Sequence, residues 1–222
     1  LFKVVLITGT SRGLGLELAN YFLSQGWLVI GISRSKAPIF SDRYKHYNLD
    51  ITDYESLSNS LTEITHIDVV INNAAIFKLE QFEKTDIDII DSILDTNLKG
   101  SIYVTKCSLT KMVKGGKIIF VNSVAGLNDI ENQSIYSASK HGLTSFANIL
   151  GKELNLRGIS VTSIHPGGIN TTLWNDNNPY PLGNVSDAIN PQSIVDMIYY
   201  ISSQDNKIIY KTITMFPNIE CF

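Results

Sequence analysis

The stretch Val4-Val5-Leu6-Ile7-Thr8-Gly9-Thr10-Ser11-Arg12-Gly13-Leu14-Gly15 decides how the rest of the chain is read. Val4 to Ile7 are apolar without alternation, the pattern of a strand covered on both faces. Three glycines come next in the spacing Gly-x-x-x-Gly-x-Gly, and beyond them Leu14, Leu18 and Tyr21 share one helical face. A strand that turns at Gly9 and enters a helix near Gly13 presents the first N–H groups of that helix, and the positive end of its dipole, to an anion. The spacing is not the Gly-x-Gly-x-x-Gly of the familiar dinucleotide turn. An ordinary glycine turn between strand and helix explains the same residues, so the assignment depends on the motifs in the rest of the chain.

Outward from this unit, strand-like runs cover 3–8, 27–33, 44–49, 67–72, 117–122, 160–165 and 212–216. Helical patterns cover 13–25, 54–64, 87–113, 134–157 and about 191–202. Pro191 suits a first helical turn, and Gly26 and Gly158 sit just past helix ends, where a positive φ is common. Alternation of strand and helix implies right-handed crossovers and a parallel sheet. The expected fold is α/β: a doubly wound, Rossmann-like, mostly parallel sheet of seven strands with helices on both faces. No linker or repeat divides the chain, so 1–222 reads as a single domain. Residues 170–187, rich in Asn, Pro and Thr, fit no element; a loop that long in a compact domain is usually functional.

Composition narrows the function classes. The chain has 222 residues, 18 Lys and Arg against 21 Asp and Glu, and a net charge of −3. The basic residues are scattered, which argues against a nucleic-acid partner. Cys107 and Cys221 read as reduced thiols, and the four histidines show no metal-ligand spacing. No apolar run reaches membrane-spanning length. The chain enters its first strand without a signal-peptide pattern, and a cytoplasmic enzyme is the expectation.

The chemistry lies in the second half. Tyr136 and Lys140 are four residues apart, one helical turn from each other on one face. An ammonium beside a phenol favours the phenolate and brings an acid that normally titrates near 10 toward working pH. Asn72-Asn73-Ala74-Ala75, Ser123 and the run from Pro166 to Thr171 all fall at strand C-termini, the edge where open α/β sheets bind ligands. Asn97 lies within the long helical pattern. His165 closes a strand and reads as a packing residue. Ser123 and His165 could suggest a hydrolase, but the chain has no Gly-x-Ser-x-Gly elbow. Trp174, Tyr180 and Leu182, in the long loop, fit a substrate wall or a packing role equally.

In this order the motifs resemble those of the short-chain dehydrogenase/reductase family, in its compact single-domain branch, and the resemblance covers essentially the whole chain. It implies a catalytic tetrad of Asn97, Ser123, Tyr136 and Lys140. Tyr136 would exchange the proton with the substrate oxygen and Ser123 would orient that oxygen. Lys140 would bind the nicotinamide ribose and depress the Tyr136 pKa, and Asn97 would hold a water linking Lys140 to solvent. It also implies a dinucleotide cradle of Gly9, Ser11, Arg12, Gly13, Leu14 and Gly15. Asp50 and Ile51 would lie at the adenine, although Asp50 serves equally as a cap for the helix starting near Asp53. Asn73, Ala74 and Ala75 would line the adenosine ribose, with Ala75 where the family usually has glycine. Pro166, Ile169 and Thr171 would hold the carboxamide.

An NAD-binding unit of this architecture usually places an acid after the second strand. Here the residues are Ser33-Arg34-Ser35. Arg34, with Arg12, would meet a 2′-phosphate, so NADP(H) is expected over NAD(H). The resulting expectation is an NADP(H)-dependent oxidoreductase acting on a small carbonyl or alcohol, without a metal. It would be a homodimer or homotetramer, packed through the Asn97 and Tyr136 helices with Phe146, Ile149 and Leu150 as apolar surface. The competing reading is a non-catalytic NADP(H)-binding regulator on the same fold. Such a protein is expected to lose members of the tetrad, and all four are present. A nucleotide-sugar epimerase or dehydratase is disfavoured by the glycine spacing and the short C-terminal region.

Overall fold

The structure is a computed structural model and describes residues 2–175, 178–181, 183–205 and 207–219. Leu182 and Cys221 lie outside them. Seven strands form one sheet in the order β3-β2-β1-β4-β5-β6-β7: β1 (Val4–Thr8), β2 (Leu28–Ser33), β3 (Tyr44–Asn48), β4 (Ile67–Asn72), β5 (Met112–Val121), β6 (Ser160–Pro166) and β7 (Thr212–Met215). Every strand pair is parallel.

Side chains alternate across a strand, so a strand that is apolar throughout needs cover on both faces. β1 shows how this is met. Val4 and Leu6 belong to one core, with Leu57, Val104, Leu143 and Leu150; Val5 and Ile7 belong to a second, with Leu18, Phe22, Ile194 and Ile198. The first face is therefore covered by α2 (Tyr54–Ser60), α4 (Ser101–Ser108) and α5 (Ser134–Leu154). The second is covered by α1 (Gly13–Ser24) and α6 (Pro191–Ser203). Gly26 and Gly158 take φ of 84° and 65° beyond the ends of α1 and α5, as their positions require.

Three expectations need correction. The helical pattern over 87–113 is not one helix. It is α3 (Ile87–Leu94), a wide π turn (Asp95–Gly100) and α4, and the chain then enters β5 at Met112. Met112 and Val113 extend the apolar spacing of the helix, but Met112 pairs with Ile67 in the sheet. The helix expected over 54–64 ends at Ser60. Of the apolar trio on α5, only Ile149 is well exposed, and Phe146 is half-buried. Leu150 lies in the core, and the Phe146 ring packs edge-on against Phe120 at 5.8 Å.

Order in the sheet reverses beside β1: β2 and β3 follow on one side, and β4 to β7 on the other. A crevice opens at the C-terminal edge at such a point, where neighbouring loops diverge.

Candidate active site

A cavity of about 910 Å³ lies at this edge. Every site residue expected from the sequence lines it except Asn97, which stands behind its wall.

One end is built by the turn after β1. Gly9 and Gly13 have φ of 78° and 54°. A methyl on Gly15 would run into the Gly9 carbonyl, so α1 can approach β1 this closely only at glycine. Arg12 stands at the N-cap of α1 without a side-chain cap bond, and the first turn carries no acid. Its N–H groups are therefore left to a ligand. Ser11 and Leu14 complete this wall.

Beside it, Arg34 and Arg12 are joined by Lys36, which sequence reasoning missed although it lies only two residues beyond Arg34. All three side chains are exposed, and none is paired with a carboxylate among the described residues. Asp50 also lines the cavity. Its Oδ1 accepts from the Thr52 N–H and hydroxyl at 2.9 and 2.8 Å, while α2 is capped by Asp53, which accepts from Ser56 N at 3.1 Å. Asp50 thus closes the turn before the helix and is not its cap.

The β4 end is held by its own side chains. Thr8 Oγ1 accepts from the N–H groups of Asn73 and Ala74, each at 3.0 Å, and Asn73 Nδ2 donates to Thr8 O at 2.9 Å. Asn73 therefore ties β1 to β4 while it lines the cavity. Ala75 is exposed there, and its methyl is accommodated.

The π turn places Asn97. Its Nδ2 donates to Ile76 O at 2.9 Å and to Ser139 Oγ at 3.2 Å, and its Oδ1 accepts from Ile76 N at 2.7 Å. The side chain is committed to pinning the segment after β4 against α5.

Ser123 follows β5. Its Oγ accepts from Ala125 N at 3.1 Å, and its hydroxyl lies close enough to the Tyr136 phenol to favour the ionised form slightly. Its carbonyl is held by His165 Nδ1 at 2.9 Å. A carbonyl only accepts, so Nδ1 carries the hydrogen. His165 is fully buried, and burial lowers its pKa. It is a neutral positioning group behind Ser123.

Tyr136 and Lys140 stand one turn apart on α5, both buried, with Nζ 5.6 Å from the centre of the phenol ring. Nζ donates to Val121 O at 3.1 Å, leaving its other hydrogens for a ligand. Burial dominates the electrostatics. It pushes the Tyr136 phenol up to about 12, against a smaller lowering by Ser123, and brings Lys140 down to about 7. The expected depression of the phenol by Lys140 is not seen, because desolvation favours the neutral form of each group.

The far wall is aromatic. Phe77 packs on Tyr136 at 4.8 Å and on Trp174 at 5.2 Å, and Trp174 packs on Tyr180 at 5.0 Å. Trp174 Nε1 donates to Ile169 O at 2.8 Å. Asn178 accepts from Leu79 N at 3.3 Å and reaches Phe77 O at 3.5 Å. The long loop thus crosses to the segment after β4. Phe77 and Gln133 also line the cavity; neither lies in a recognisable motif, and sequence reasoning missed both. Pro166, Ile169 and Thr171 border the aromatic end.

No group of three or more His, Cys, Asp or Glu among the described residues could hold a metal ion. No helix among them is long and apolar enough to cross a membrane.

A sequence profile described as short chain dehydrogenase matches residues 3–181. An uncharacterized oxidoreductase of Schizosaccharomyces pombe is 34% identical over 187 residues, which is 80% of this chain but only 64% of that protein. The 3-oxoacyl-acyl-carrier-protein reductase FabG of Haemophilus influenzae is 33% identical over 183 residues, 77% of this chain and 76% of its own. Among solved structures, the closed form of a serine dehydrogenase complexed with NADP+ matches with a TM-score of 0.88 at 23% identity, covering 99% and 96% of the two chains. A 4-hydroxyisoleucine dehydrogenase complexed with NADH matches with a TM-score of 0.84 at 25% identity, covering 98% of each. With the profile spanning most of the sequence and the parallel sheet shared, this chain is an oxidoreductase of the short-chain dehydrogenase family.

Proposed function

We propose that the protein is an NADP(H)-dependent oxidoreductase that transfers a hydride between the nicotinamide and a small carbonyl or alcohol. The observation that carries this reading is one cavity with Ser123, Tyr136 and Lys140 at one end and, at the other, a glycine cradle with three cations that have no ion-pair partner among the described residues. The residues fit such a cofactor. The free N–H groups at the start of α1 suit the pyrophosphate. Arg12, Arg34 and Lys36 suit a 2′-phosphate through charge-assisted hydrogen bonds. Lys140 suits the nicotinamide ribose hydroxyls. When bound, the nicotinamide supplies or accepts the hydride.

The protein's own part is a proton and a position. Tyr136, held up at about 12, is a protonated phenol at neutral pH and an available donor to a carbonyl oxygen that gains charge as hydride adds to its carbon. Ser123, beside the phenol, would hydrogen-bond that same oxygen. A phenolate formed at Tyr136 would draw a proton onto Lys140, whose value of about 7 makes it exchangeable at neutral pH. A positioned acid and a reprotonating neighbour favour catalysis over the regulator reading.

Absorbance at the NADPH maximum, followed over a varied carbonyl panel, tests this in three proteins. Wild type is expected to prefer NADPH by kcat/KM. Each charged hydrogen bond contributes roughly 1.5–3 kcal/mol, so Arg34→Ala should weaken NADPH use by about 10- to 100-fold and leave NADH use nearly unchanged. Tyr136→Phe should keep NADPH binding and lower turnover by about 100-fold or more. Preference for NADH, or equal loss with both cofactors, would defeat the phosphate assignment. Near wild-type turnover in Tyr136→Phe would defeat the proton donor.

A further inference from the structure

We infer that the substrate end of the cavity selects an uncharged carbonyl or alcohol bearing an aromatic or bulky apolar group, and turns away substrates bearing carboxylate or phosphate. This rests on the oxidoreductase reading above and names its substrate class. Three independent observations at the Tyr136 end carry it.

The first is the aromatic wall. Phe77, Trp174 and Tyr180 line the cavity in one continuous chain of edge-to-face contacts that ends on the proton donor itself. The Trp174 N–H is satisfied by Ile169 O, so what the indole offers a ligand is apolar area.

The second is charge. The cations that line the cavity, Lys140 apart, are Arg12, Arg34 and Lys36, all in the turns after β1 and β2. The segment leading into α5 contributes Asp129 and Glu131, both exposed and without an ion-pair partner among the described residues. Lys140 is the one cation lining the cavity beside Tyr136; it is buried with Nζ held by Val121 O, and burial disfavours its charged form. An anionic substrate would therefore approach Tyr136 past two like charges and find no fixed counter-charge.

The third is Gln133. It is 7% exposed and lines the cavity. It occupies the N-cap position of α5 without a side-chain cap bond, and its amide has no hydrogen-bond partner among the described residues. An amide that makes no cap bond and lines a cavity can donate to and accept from a polar group on a ligand. It stands three residues before Tyr136, so it is placed for a second neutral polar group on the substrate, apart from the reacting oxygen.

The test is a pair matched in size and differing in charge: methyl 4-formylbenzoate and 4-carboxybenzaldehyde. Acetoacetyl-CoA is added as a phosphate-bearing acyl thioester. Reduction is measured at low and high salt in wild type, Trp174→Ala and the double variant Asp129→Asn/Glu131→Gln. The expected result is a kcat/KM for the ester at least 10-fold above that for the acid and above that for the thioester. High salt, which screens surface charge, should narrow the ester–acid gap. The double variant should raise only the acid, by several-fold, and leave the ester within about two-fold. Trp174→Ala should raise KM for the ester. Equal rates for ester and acid, preference for the thioester, or a gap unchanged in the double variant would overturn the inference. Quenching of tryptophan fluorescence by ester and acid, titrated in Tyr136→Phe, reads binding without turnover. If no carbonyl is reduced with either cofactor, the oxidoreductase reading fails and that titration decides alone. Selective quenching by the ester then upholds the inference, and equal or acid-favouring quenching overturns it.

Discussion

Tyr136 and Lys140 illustrate how burial prepares a residue for chemistry at a cost to stability. Lys140 titrates near 10.5 when exposed and about 7 in the fold. Below about pH 7 it is charged in both the folded and unfolded chain, and the folded state carries the full cost of burying the charge. Between about 7 and 10.5 the folded lysine is neutral while the unfolded one still binds a proton, so stability rises with pH through that window. Tyr136 contributes only above its ordinary value of 10. Lys140→Met removes the buried charge and should raise the Tm of the cofactor-free protein at pH 6 by about 4 °C or more, at roughly 2–4 °C per kcal/mol for a chain of this size. Calorimetric scans of both proteins from pH 6 to 9.5 should show that difference shrinking as pH rises. A difference that does not vary with pH, or a variant less stable than wild type at pH 6, would show that the buried ammonium is not what costs stability here. The same substitution removes the group assigned to the ribose, so a gain in Tm should come with loss of activity.

At the scale of elements, the π turn between α3 and α4 and the long loop after β6 do opposite work. The π turn fixes the site: Asn97 binds Ile76 and Ser139 together, and Ser101 Oγ donates to the Asn97 carbonyl at 2.9 Å. Departures from regular helix of this kind recur at functional sites. The loop is tied at its base and across the cavity. Its base is held by Asn170 N to Ile189 O and Ile189 N to Gly168 O, at 2.9 and 2.8 Å, and its far side by Asn178 on the backbone of Phe77 and Leu79. An aromatic contact with the segment after β4, reached from a base held at Gly168, Asn170 and Ile189, suits a lid that orders over bound ligands. Hydrogen exchange across 170–187 should slow on addition of cofactor and substrate together, more than across β1 or α5. Unchanged protection in the loop would mean that it is a fixed wall.

At the scale of the whole molecule, the reversal of strand order beside β1 brings residues from distant parts of the chain to one edge. On the proposed assignment, catalysis would depend on how firmly α3, α4 and α5 are held, since these carry or support Asn97, Tyr136 and Lys140. We expect a symmetric oligomer, at least a dimer, in which these helices pack against their copies across a two-fold axis. Ile87 and Ile149, 69% and 53% exposed on α3 and α5, are apolar side chains that such packing would cover. Light scattering at micromolar concentration should give a mass of two subunits or more, and Ile149→Lys should shift it toward monomer. A monomer in the wild-type protein would contradict this assembly.

Order and type of strand and helix, the parallel sheet and the short motifs that come to line the cavity are legible in the sequence. Apolar runs, glycine turns and short motifs are local patterns, and strand ends in such a sheet must converge on one edge. The sequence is silent or misleading where the answer depends on contacts between segments. Met112 continues a helical spacing, yet a place beside Ile67 in the sheet decides that it starts β5. Leu150 and Ile149 look alike in sequence, and only the seating of α5 on the sheet buries one and exposes the other. The spacing of Tyr136 and Lys140 predicts an acidified phenol, but the depth at which both are buried governs their charges, and burial depth has no signature in a four-residue spacing. Phe77 and Gln133 belong to no motif. They become part of the site because tertiary folding brings the segment after β4, the approach to α5 and the loop after β6 around one cavity.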